Sequence, residues 1–459
     1  MRVLMLGWEF PPFISGGLGT ACYGLTRAMS EEGVDVTFVL PRAVSGDHTT
    51  HVRLIAPAAV SVKSNGRVKS MLVQQGGQIV SYHIDSLDHV TFVPVDVELS
   101  PYETEAEYAA RIERLNRIRH TLSQEEMRVL ETESRRTDRS ICAVDSPLTG
   151  QYGRDLLAEV HRYARLVTMF APRMEFDVIH AHDWMTFPAA LAVSRMTGKP
   201  LVVHVHSTEF DRSGEHVDQR VYDIERAGMH GAAHVVAVSN LTRNLCVSRY
   251  GVDPQKVSVV YNAIDLQDST VPTGPLTFRK GERLVLFLGR MTMQKGPDYF
   301  VAAAKKVLDK MENVTFIMAG DGDMFRRVIE RAADLGIGHK ILFTGFLRGD
   351  NVQKVFRMAD LFVMPSVSEP FGLVPLEAMS QDVPVIISKQ SGVSEVLTHV
   401  LKVDFWDINE MANKIIAVLR HAPLRETLKK HAHFEVRKFS WRDASRSCVE
   451  LYERLTSRG

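Results

Sequence analysis

The chain has 459 residues, of which 45% are hydrophobic and 24% are charged. This length exceeds one ordinary hydrophobic core and predicts two domains of roughly 200 residues each. Lys and Arg together number 55, as do Asp and Glu, so the net charge is zero. That balance argues against nucleic acid as a partner.

The cysteines and the first residues bear on the cellular compartment. The four cysteines are scattered without a CxxC pair, which indicates buried thiols in a reducing environment. The first stretch, MRVLMLGWEFPPF, lacks the long apolar region and cleavage site of a signal peptide. No apolar run reaches the roughly 18 residues that a membrane span needs. We therefore expect a cytoplasmic protein without a transmembrane segment.

A β-α-β unit is predicted at the start of the chain. RVLMLG is followed by a glycine-rich turn, ISGGLGT, then by a helical pattern and the apolar run VDVTFVLP. Gly16 and Gly17 allow a ligand to approach the backbone closely, and the helix N-terminus favours an anion. A plain tight turn explains these glycines equally well, because their spacing is not GxGxxG.

The next segments interrupt this alternation of strands and helices. Residues 52–97 contain runs such as QIVSYHI and HVTFVPVDV, which favour local antiparallel pairing. Residues 103–140 are charged and helical in pattern, which is typical of an insertion in the first domain.

Histidines and acids end two later strands of the first domain. FDVIHAHDW brings His180, His182 and Asp183, and LVVHVHSTEFD brings His204 and His206. Alternation along the strand directs His204 and His206 to the same face. Core or surface histidines are the usual outcome. A zinc site is disfavoured, because no ligand spacing such as HExxH is present.

A segment rich in Pro, Gly, Asp and Thr near residue 265 separates two series of strand patterns. The runs after it, among them RLVLFLG, VTFIMAG and LFVMPS, are apolar on both faces, as in a parallel sheet covered by helices. We predict an α/β chain with two doubly wound, Rossmann-like domains, residues 1–264 and 265–439, facing each other across a cleft. In such sheets ligands bind beyond the carboxyl ends of the strands.

Two loops of the second domain carry charge at those ends. LFLGRMTMQKG places Arg290 and Lys295 between a strand and a helix, where a forked guanidinium and a compact ammonium suit a diphosphate. Solvated surface charge is the alternative. In AGDGDMF, Asp321 and Asp323 have the spacing of a divalent-metal site, but we favour a polar turn after a strand.

SEPFGLVPLE places two glutamates around a predicted helix N-terminus. Glu369 lies in the loop after the strand LFVMPS, and Glu377 lies one to two turns into the helix. The amides near Phe371, Gly372 and Leu373 stand at the helix entrance, where negative charge is stabilised. Such a structure can hold a phosphate by its amides and sugar hydroxyls by its carboxylates. A capping acid with an exposed helix glutamate is the alternative.

The ordered combination of these motifs resembles the retaining glycosyltransferases of the GT-B fold, in family 4, with features of glycogen and starch synthases. The resemblance rests on GWEFPPFISGGLG, HAHDW, HVHSTEF, LGRMTMQKG, AGDGDM, SEPFGLVPLEAM and the terminal FSW…LYERL, and it covers nearly the whole chain. It implies that residues 1–264 form the acceptor-side domain and residues 265–439 the nucleotide-sugar donor domain. It also implies that a C-terminal helix over residues 440–459 packs back on the first domain.

The resemblance implies roles for single residues. Glu369 and His206 are the implied catalytic residues, both beside the transferred sugar. The implied donor-binding residues are Gly16, Gly17, Arg290, Lys295, Phe371, Gly372, Leu373 and Glu377. Among these, Arg290 and Lys295 would bind the diphosphate, together with the amide of Gly17, and Glu377 would bind the ribose.

The activity implied is metal-independent, retaining transfer of a hexose from a nucleotide diphosphate sugar to a carbohydrate or other hydroxyl acceptor. No cofactor besides the co-substrate is expected. Among donors we favour UDP- or ADP-glucose, and a glucan is one candidate acceptor. The insertion at 103–140 has two candidate roles, acceptor selection and oligomer contact, and no oligomeric state is predicted.

Two positions depart from the family pattern. YNAID has Tyr261 and Ala263 where Pro-Asn-Gly is common, and Ser15 stands where glycogen synthases carry a lysine. The missing lysine charge argues against a polymer-elongating role with ADP-glucose. The alternative functions are a nucleotide-sugar epimerase and a non-catalytic nucleotide-sugar-binding protein. A phosphorylase is disfavoured, because no pyridoxal-phosphate lysine motif is found.

Overall fold

The computed structural model describes residues 1–10, 16–43, 70–75, 78–83, 90–97, 152–265, 281–347 and 349–457. The predicted insertion at 103–140 lies outside the described residues, as does Ser15.

Seven strands form a parallel sheet in the first half of the chain, in the order β5-β2-β1-β6-β7-β8-β9. The strands are β1 (Arg2–Leu6), β2 (Asp35–Ala43), β5 (Val90–Val97), β6 (Val178–His182), β7 (Leu201–Val205), β8 (His234–Ala237) and β9 (Val257–Val259). Two further strands, β3 (Ser70–Gln75) and β4 (Gln78–His83), form a separate antiparallel hairpin.

The antiparallel prediction for residues 52–97 is confirmed for this hairpin and wrong for β5. Strand β5 pairs in parallel with β2, from Val36 opposite Val90 to Ala43 opposite Val97. Alternation of side chains along a strand does not fix the direction of its partner. Since β5 is an edge strand, it also tolerates Pro94, which cannot donate a hydrogen bond to a second neighbour.

Six strands form a second parallel sheet, in the order β12-β11-β10-β13-β14-β15. The strands are β10 (Arg283–Leu288), β11 (Val314–Ala319), β12 (Ile341–Gly345), β13 (Leu361–Met364), β14 (Val385–Ser388) and β15 (Leu401–Val403). The fold class predicted from the sequence, two doubly wound α/β units, is confirmed.

Helices connect the strands and cover both sheets. In the first half they are α1 (Gly17–Glu31), α2 (Tyr152–Phe170), α3 (Phe187–Thr197), α4 (Glu209–Ser213), α5 (Gln219–Gly231) and α6 (Asn240–Ser248). In the second half they are α7 (Pro297–Leu308), α8 (Phe325–Asp334), α9 (Asp350–Met358), α10 (Leu373–Ser380), α11 (Ile408–Arg420), α12 (Ala422–Val436) and α13 (Trp441–Thr456). Short 3-10 turns include Met293–Lys295 and Gly392–Glu395. None of the helices in the described ranges has the length and apolar character that crossing a membrane requires.

Both faces of the first sheet are buried. Along β1, Leu4 and Leu6 belong to one hydrophobic cluster, whereas Val3 and Met5 belong to another on the opposite face. This explains why the strand is a continuous apolar run rather than an alternating one.

The last helix, α13, packs on α1 of the first sheet. The indole of Trp441 lies so close to Gly24 that a Cβ there would be 2.1 Å from its Cε2. Ser440 caps α13 by accepting a hydrogen bond from the amide of Arg442. Phe439, just before the cap, packs against apolar cores of both halves, so the chain crosses between them at this point. The domain boundary at residue 265 stays a prediction.

Candidate active site

Lys295 and Glu369 meet at the carboxyl ends of the adjacent strands β10 and β13. The Nζ of Lys295 lies 2.6 Å from Oε2 of Glu369. The hydroxyl of Ser366 donates to the same oxygen at 3.2 Å. Glu369 is only 8% exposed, so the attraction between the two charges is less screened than at a surface. The structure thus pairs two residues that the sequence assigned to one ligand.

Glycine geometry fixes the Lys295 loop. Gly296 has φ 66° and caps α7, and a Cβ at this residue would lie 2.2 Å from the carbonyl oxygen of Pro365. A side chain is therefore excluded by both backbone conformation and space. The neighbouring carbonyl of Gln294 accepts a hydrogen bond from the amide of Val367 at 2.9 Å. The loops that carry Lys295 and Glu369 are consequently held to each other by backbone contacts.

Arg290 lies on the same loop as Lys295 but is exposed. Its Nη2 is 3.5 Å from Oε1 of the buried Gln294, a weak contact by distance. The two cations predicted to bind a diphosphate therefore differ: Lys295 is paired with a carboxylate, and Arg290 stands at the rim of the site.

The turn that contains Asp321 and Gly322 packs against the loop that carries Arg290. The carbonyl of Asp321 accepts a hydrogen bond from the amide of Met291 at 2.8 Å. Its Oδ1 accepts one from the amide of Gly322 at 2.7 Å. A Cβ on Gly322 would lie 2.5 Å from the carbonyl oxygen of Met291. These contacts fit the interpretation of AGDGDM as a turn that packs on the neighbouring loop.

Helix α10 begins beside Glu369. Gly372, with φ 108°, stands at its N-cap without a side-chain hydrogen bond, and α10 starts at Leu373. Phe371 is buried, and its carbonyl accepts a hydrogen bond from Val393 at 2.7 Å. Glu377 is half-buried in the second turn, and this burial raises the pKa of its carboxyl group to about 7.

In the first domain, Gly16 is the N-cap of α1 and Gly17 is its first residue. A Cβ on Gly17 would meet nothing within 4 Å, so space is open beside it. A fully buried carboxylate, Glu9, accepts hydrogen bonds from the amides of Gly16 at 3.2 Å and Gly19 at 3.3 Å. Sequence analysis missed Glu9, although the acid in the apolar stretch GWEF was a visible signal.

Four histidines, two on β6, one on β7 and His206 directly after β7, stack against one another. His182 Nδ1 lies 2.9 Å from His206 Nε2, and His180 Nε2 lies 3.2 Å from His204 Nδ1. His180 is also hydrogen-bonded to the hydroxyl of Tyr452 on α13. Burial lowers the pKa of His206 to about 3 and lowers those of the other three well below the ordinary value. All four rings are therefore neutral at pH 7, and His206 can exchange hydrogen bonds but supplies no charge.

Three of these histidines could hold a metal ion. Ligand atoms of His180, His182 and His204 lie within 4.8 Å of one another. Within the described ranges, the Nε2 atoms of His182 and His204 are buried without a hydrogen-bond partner. The sequence analysis disfavoured zinc from linear spacing alone, and this cluster is assembled across two adjacent strands, which linear spacing does not capture.

Asp183 orients the His206 segment. It has φ 59°, a left-handed conformation that Asp and Asn tolerate better than other residues with a Cβ. Its Oδ1 accepts a hydrogen bond from the amide of His206 at 2.7 Å and faces the amide of Ser207 at 3.4 Å. Burial raises the pKa of the Asp183 carboxyl group to about 7.

Side chains of the first domain contact the loop that carries Glu369. Ser368 donates to Asp211 Oδ1 at 2.6 Å, and Ser239 donates to the carbonyl of Pro370 at 2.6 Å. Farther along, Glu395 accepts hydrogen bonds from the backbone at the start of α6. Sequence analysis missed these contacts, because the partners are more than 120 residues apart and no local motif marks them.

Three family descriptions match successive parts of the chain. Residues 2–118 match the starch synthase catalytic domain, residues 124–268 match Glycosyltransferase Family 4, and residues 274–433 match Glycosyl transferases group 1.

Individual proteins agree with these matches. An uncharacterized glycosyltransferase of Methanocaldococcus jannaschii is 31% identical over 296 residues, which cover 61% of this chain and 75% of the relative. The glycogen synthase of Mycobacterium tuberculosis is 24% identical over 413 residues, covering 87% of this chain and 80% of the relative.

Among solved structures, Anabaena HepE in complex with UDP and glucose superimposes with a TM-score of 0.65 at 17% identity, covering 99% of this chain and all of HepE. Its complex with UDP-glucose gives a TM-score of 0.64. At this identity the likeness concerns the fold. Together with the relatives in sequence, it establishes that the chain belongs to the family 4 glycosyltransferases of the GT-B fold, with glycogen synthase-like features.

Proposed function

We propose that this glycosyltransferase moves glucose from a nucleotide diphosphate donor to a hydroxyl acceptor with retention of configuration. UDP-glucose and ADP-glucose are the favoured donors, and a glucan is the first acceptor to test. The observation that carries the proposal is the part-buried Lys295–Glu369 pair beside the N-terminus of α10. Support for a uridine nucleotide comes from HepE, which was crystallised with UDP-glucose.

The pair supplies what cleavage of a sugar–phosphate bond requires. Negative charge develops on the leaving diphosphate, and in this proposal Lys295, Arg290 and the amides at the start of α10 stabilise it. Positive charge develops at the anomeric carbon, where a carboxylate is favourable. As the diphosphate takes over Lys295, the carboxylate of Glu369 becomes free to accept hydrogen bonds from hydroxyls of the transferred sugar.

His206 fits a binding role rather than that of a cationic acid. Its pKa of about 3 keeps the imidazole neutral, and a neutral ring can bond a sugar hydroxyl. We propose that the acceptor attacks from the face of the leaving group and that a diphosphate oxygen takes its proton. This step needs no protein base and retains the configuration at the anomeric carbon.

The first experiment is a thermal-shift series with UDP, ADP, GDP and their glucose conjugates, each with EDTA and with magnesium. We expect stabilisation by one diphosphate in both conditions, as proposed for a metal-independent site. The selected nucleotide sugar is then incubated with short glucans, and the anomeric configuration of the product is read by NMR. An inverted product, or a shift seen only with magnesium, would contradict the proposed mechanism. Release of an altered nucleotide sugar without acceptor would instead indicate an epimerase.

A further inference from the structure

Asp211 is a buried carboxylate at the contact between the two domains. It lies on the short helix α4 and is 1% exposed. Its Oδ2 accepts hydrogen bonds from the amide of Thr208 at 2.7 Å and from the hydroxyl of Thr208 at 2.8 Å. Its Oδ1 accepts a hydrogen bond from the hydroxyl of Ser368, in the second domain, at 2.6 Å. One side chain therefore bonds both domains at once.

The two ends of this bridge lead to the two candidate catalytic residues. Thr208 follows His206 by two residues, and the amide of His206 is itself held by Asp183. Ser368 is the residue directly before Glu369. A displacement of Asp211 would consequently be transmitted to the His206 segment on one side and to Glu369 on the other.

Both carboxylate oxygens of Asp211 are hydrogen-bonded, which suits a side chain that holds two segments at a fixed distance. A carboxylate removed from water must have its oxygens satisfied, and the bonds it accepts are shorter and stronger than neutral ones. Ser239 donates to Pro370 on the other side of Glu369, but it belongs to the loop after β8. The Asp211 contact, in contrast, reaches the His206 segment through Thr208.

We propose that Asp211 is a positioning residue that holds the His206 segment and the Glu369 loop in register through Thr208 and Ser368. The claim deepens the proposed function and rests on it for its catalytic consequence. The structural linkage itself is independent of any activity.

Ser368→Ala tests the linkage while leaving the Thr208–Asp211 bonds of α4 in place. We expect kcat with UDP-glucose to fall about tenfold, the size typical of one lost charge-assisted hydrogen bond, with the Kd for UDP-glucose changed less than about twofold. Ser368→Thr, which retains the hydroxyl, should recover most of the rate. Tyr261→Phe is the matched control, because it removes a hydroxyl that donates to Glu395 in another contact between the domains. An equal loss of kcat in Tyr261→Phe would overturn the specific role of Asp211.

A double-mutant cycle adds Asp211→Ala, with thermal unfolding run on every variant. If the two residues act through their mutual bond, Ser368→Ala should change kcat little once Asp211 is gone. Additive effects of the two substitutions on kcat would contradict the proposal that Asp211 acts through its bond to Ser368.

Amide hydrogen exchange tests the linkage through Asp211 without requiring catalytic activity. In Ser368→Ala, peptides within 204–211 should exchange about fivefold or more faster than in wild type, and those of Tyr261→Phe should not. Unchanged exchange in 204–211 overturns the inference. If the wild-type protein turns over no UDP-glucose but this exchange result is obtained, the proposed donor fails and the linkage stands.

Discussion

The ammonium of Lys295 lies 2.6 Å from the carboxylate of Glu369, and the two side chains form a part-buried ion pair. The cation proposed for the diphosphate is thus paired with the acid proposed for the sugar. Donor binding must break or share this pair. The pair therefore couples two functions that the sequence motif presents as separate.

This coupling makes a prediction for Glu369→Gln. Transfer should fall by about a thousandfold or more, because the glutamine carries no charge for the anomeric carbon. The affinity for UDP should stay equal or increase, since Lys295 loses its competing carboxylate. Steady-state kinetics and calorimetric titration with UDP measure the two effects. A variant that transfers sugar at the wild-type rate would remove Glu369 from the reaction.

Lys295→Ala, in contrast to Glu369→Gln, should weaken the binding of UDP. We expect UDP to bind roughly tenfold to a hundredfold more weakly, because one charge-assisted contact with the diphosphate is lost. Lys305→Ala is the control, since Lys305 is an exposed cation on α7 paired with Asp309. Equal UDP affinity in Lys295→Ala and wild type would contradict the assignment of the diphosphate site.

Glu377 predicts a pH dependence that links stability to binding. Its pKa is raised to about 7 by burial, so the folded state binds this proton more tightly than the unfolded chain does. Ionising Glu377 therefore costs stability increasingly as pH rises from about 4.5 to above 7, and Glu377→Gln should gain about 3 kcal/mol at pH 8 and little near pH 4.5. The same variant should bind UDP-glucose more weakly at pH 8, because the proposed ribose acceptor has lost its charge. Urea unfolding and titration at both pH values test this, with the exposed Glu426→Gln as control. Stabilisation at pH 8 with unchanged affinity would leave Glu377 without a ribose role.

Sequence patterns were sufficient for the fold class, because parallel strands buried on both faces give apolar runs such as Val285–Phe287 that differ from their helical surroundings. They also placed Lys295 and Glu369 at strand ends. The ion pair between them was not predicted, since the roles inferred from motifs name the ligand group that each residue binds and not the contact between the two residues. Asp211, Ser239 and Glu395 were not predicted for another reason: their hydrogen-bond partners lie in the other domain.

Burial explains why the sequence predicted the position of the histidines but not their charge. The alternation that placed His204 and His206 on one face is visible in the sequence, and their rings stack with centroids 4.3 Å apart. Their neutrality is not visible there, because it depends on how completely neighbouring elements, including Tyr452 on α13, exclude water.

Asp183 predicts a contrast between substitutions at a left-handed residue. Asp183→Asn keeps both the tolerated φ of 59° and an oxygen for the amide of His206, so its stability should stay within about 1 kcal/mol of wild type. Asp183→Ala should cost about 2 to 4 kcal/mol, from backbone strain and an unsatisfied buried amide. Asp382 has φ 58° in an exposed turn, so Asp382→Ala measures the strain alone. Equal losses in the two alanine variants would show that the bond to His206 contributes nothing.

The histidine stack predicts sensitivity to acid. The four rings have pKa values lowered by burial, so below pH 6.5 the unfolded chain binds protons that the folded protein refuses. Their contribution to stability is complete above pH 6.5 and is lost as pH falls, by up to roughly 1.4 kcal/mol per pH unit for each histidine. The raised pKa values of Asp183 and Glu377 act in the opposite direction. The informative quantity is therefore the difference between variants in the pH slope of the unfolding free energy, and not the slope of the wild type alone.

His204→Gln removes one titrating ring and should reduce the slope of unfolding free energy between pH 6.5 and 5 by up to roughly 1.4 kcal/mol per pH unit, whatever its offset in stability. His216→Gln, at an exposed position, is the control for the histidine-to-glutamine substitution itself. The measurements use chelator-treated protein, because an ion held by His180, His182 and His204 would compete with these protons. A repeat with added zinc then tests that cluster: zinc bound there should stabilise wild type more than His204→Gln, and by less as the pH falls. An unchanged slope in His204→Gln would mean that His204 is protonated in the folded state, and the neutral stack described here would be wrong.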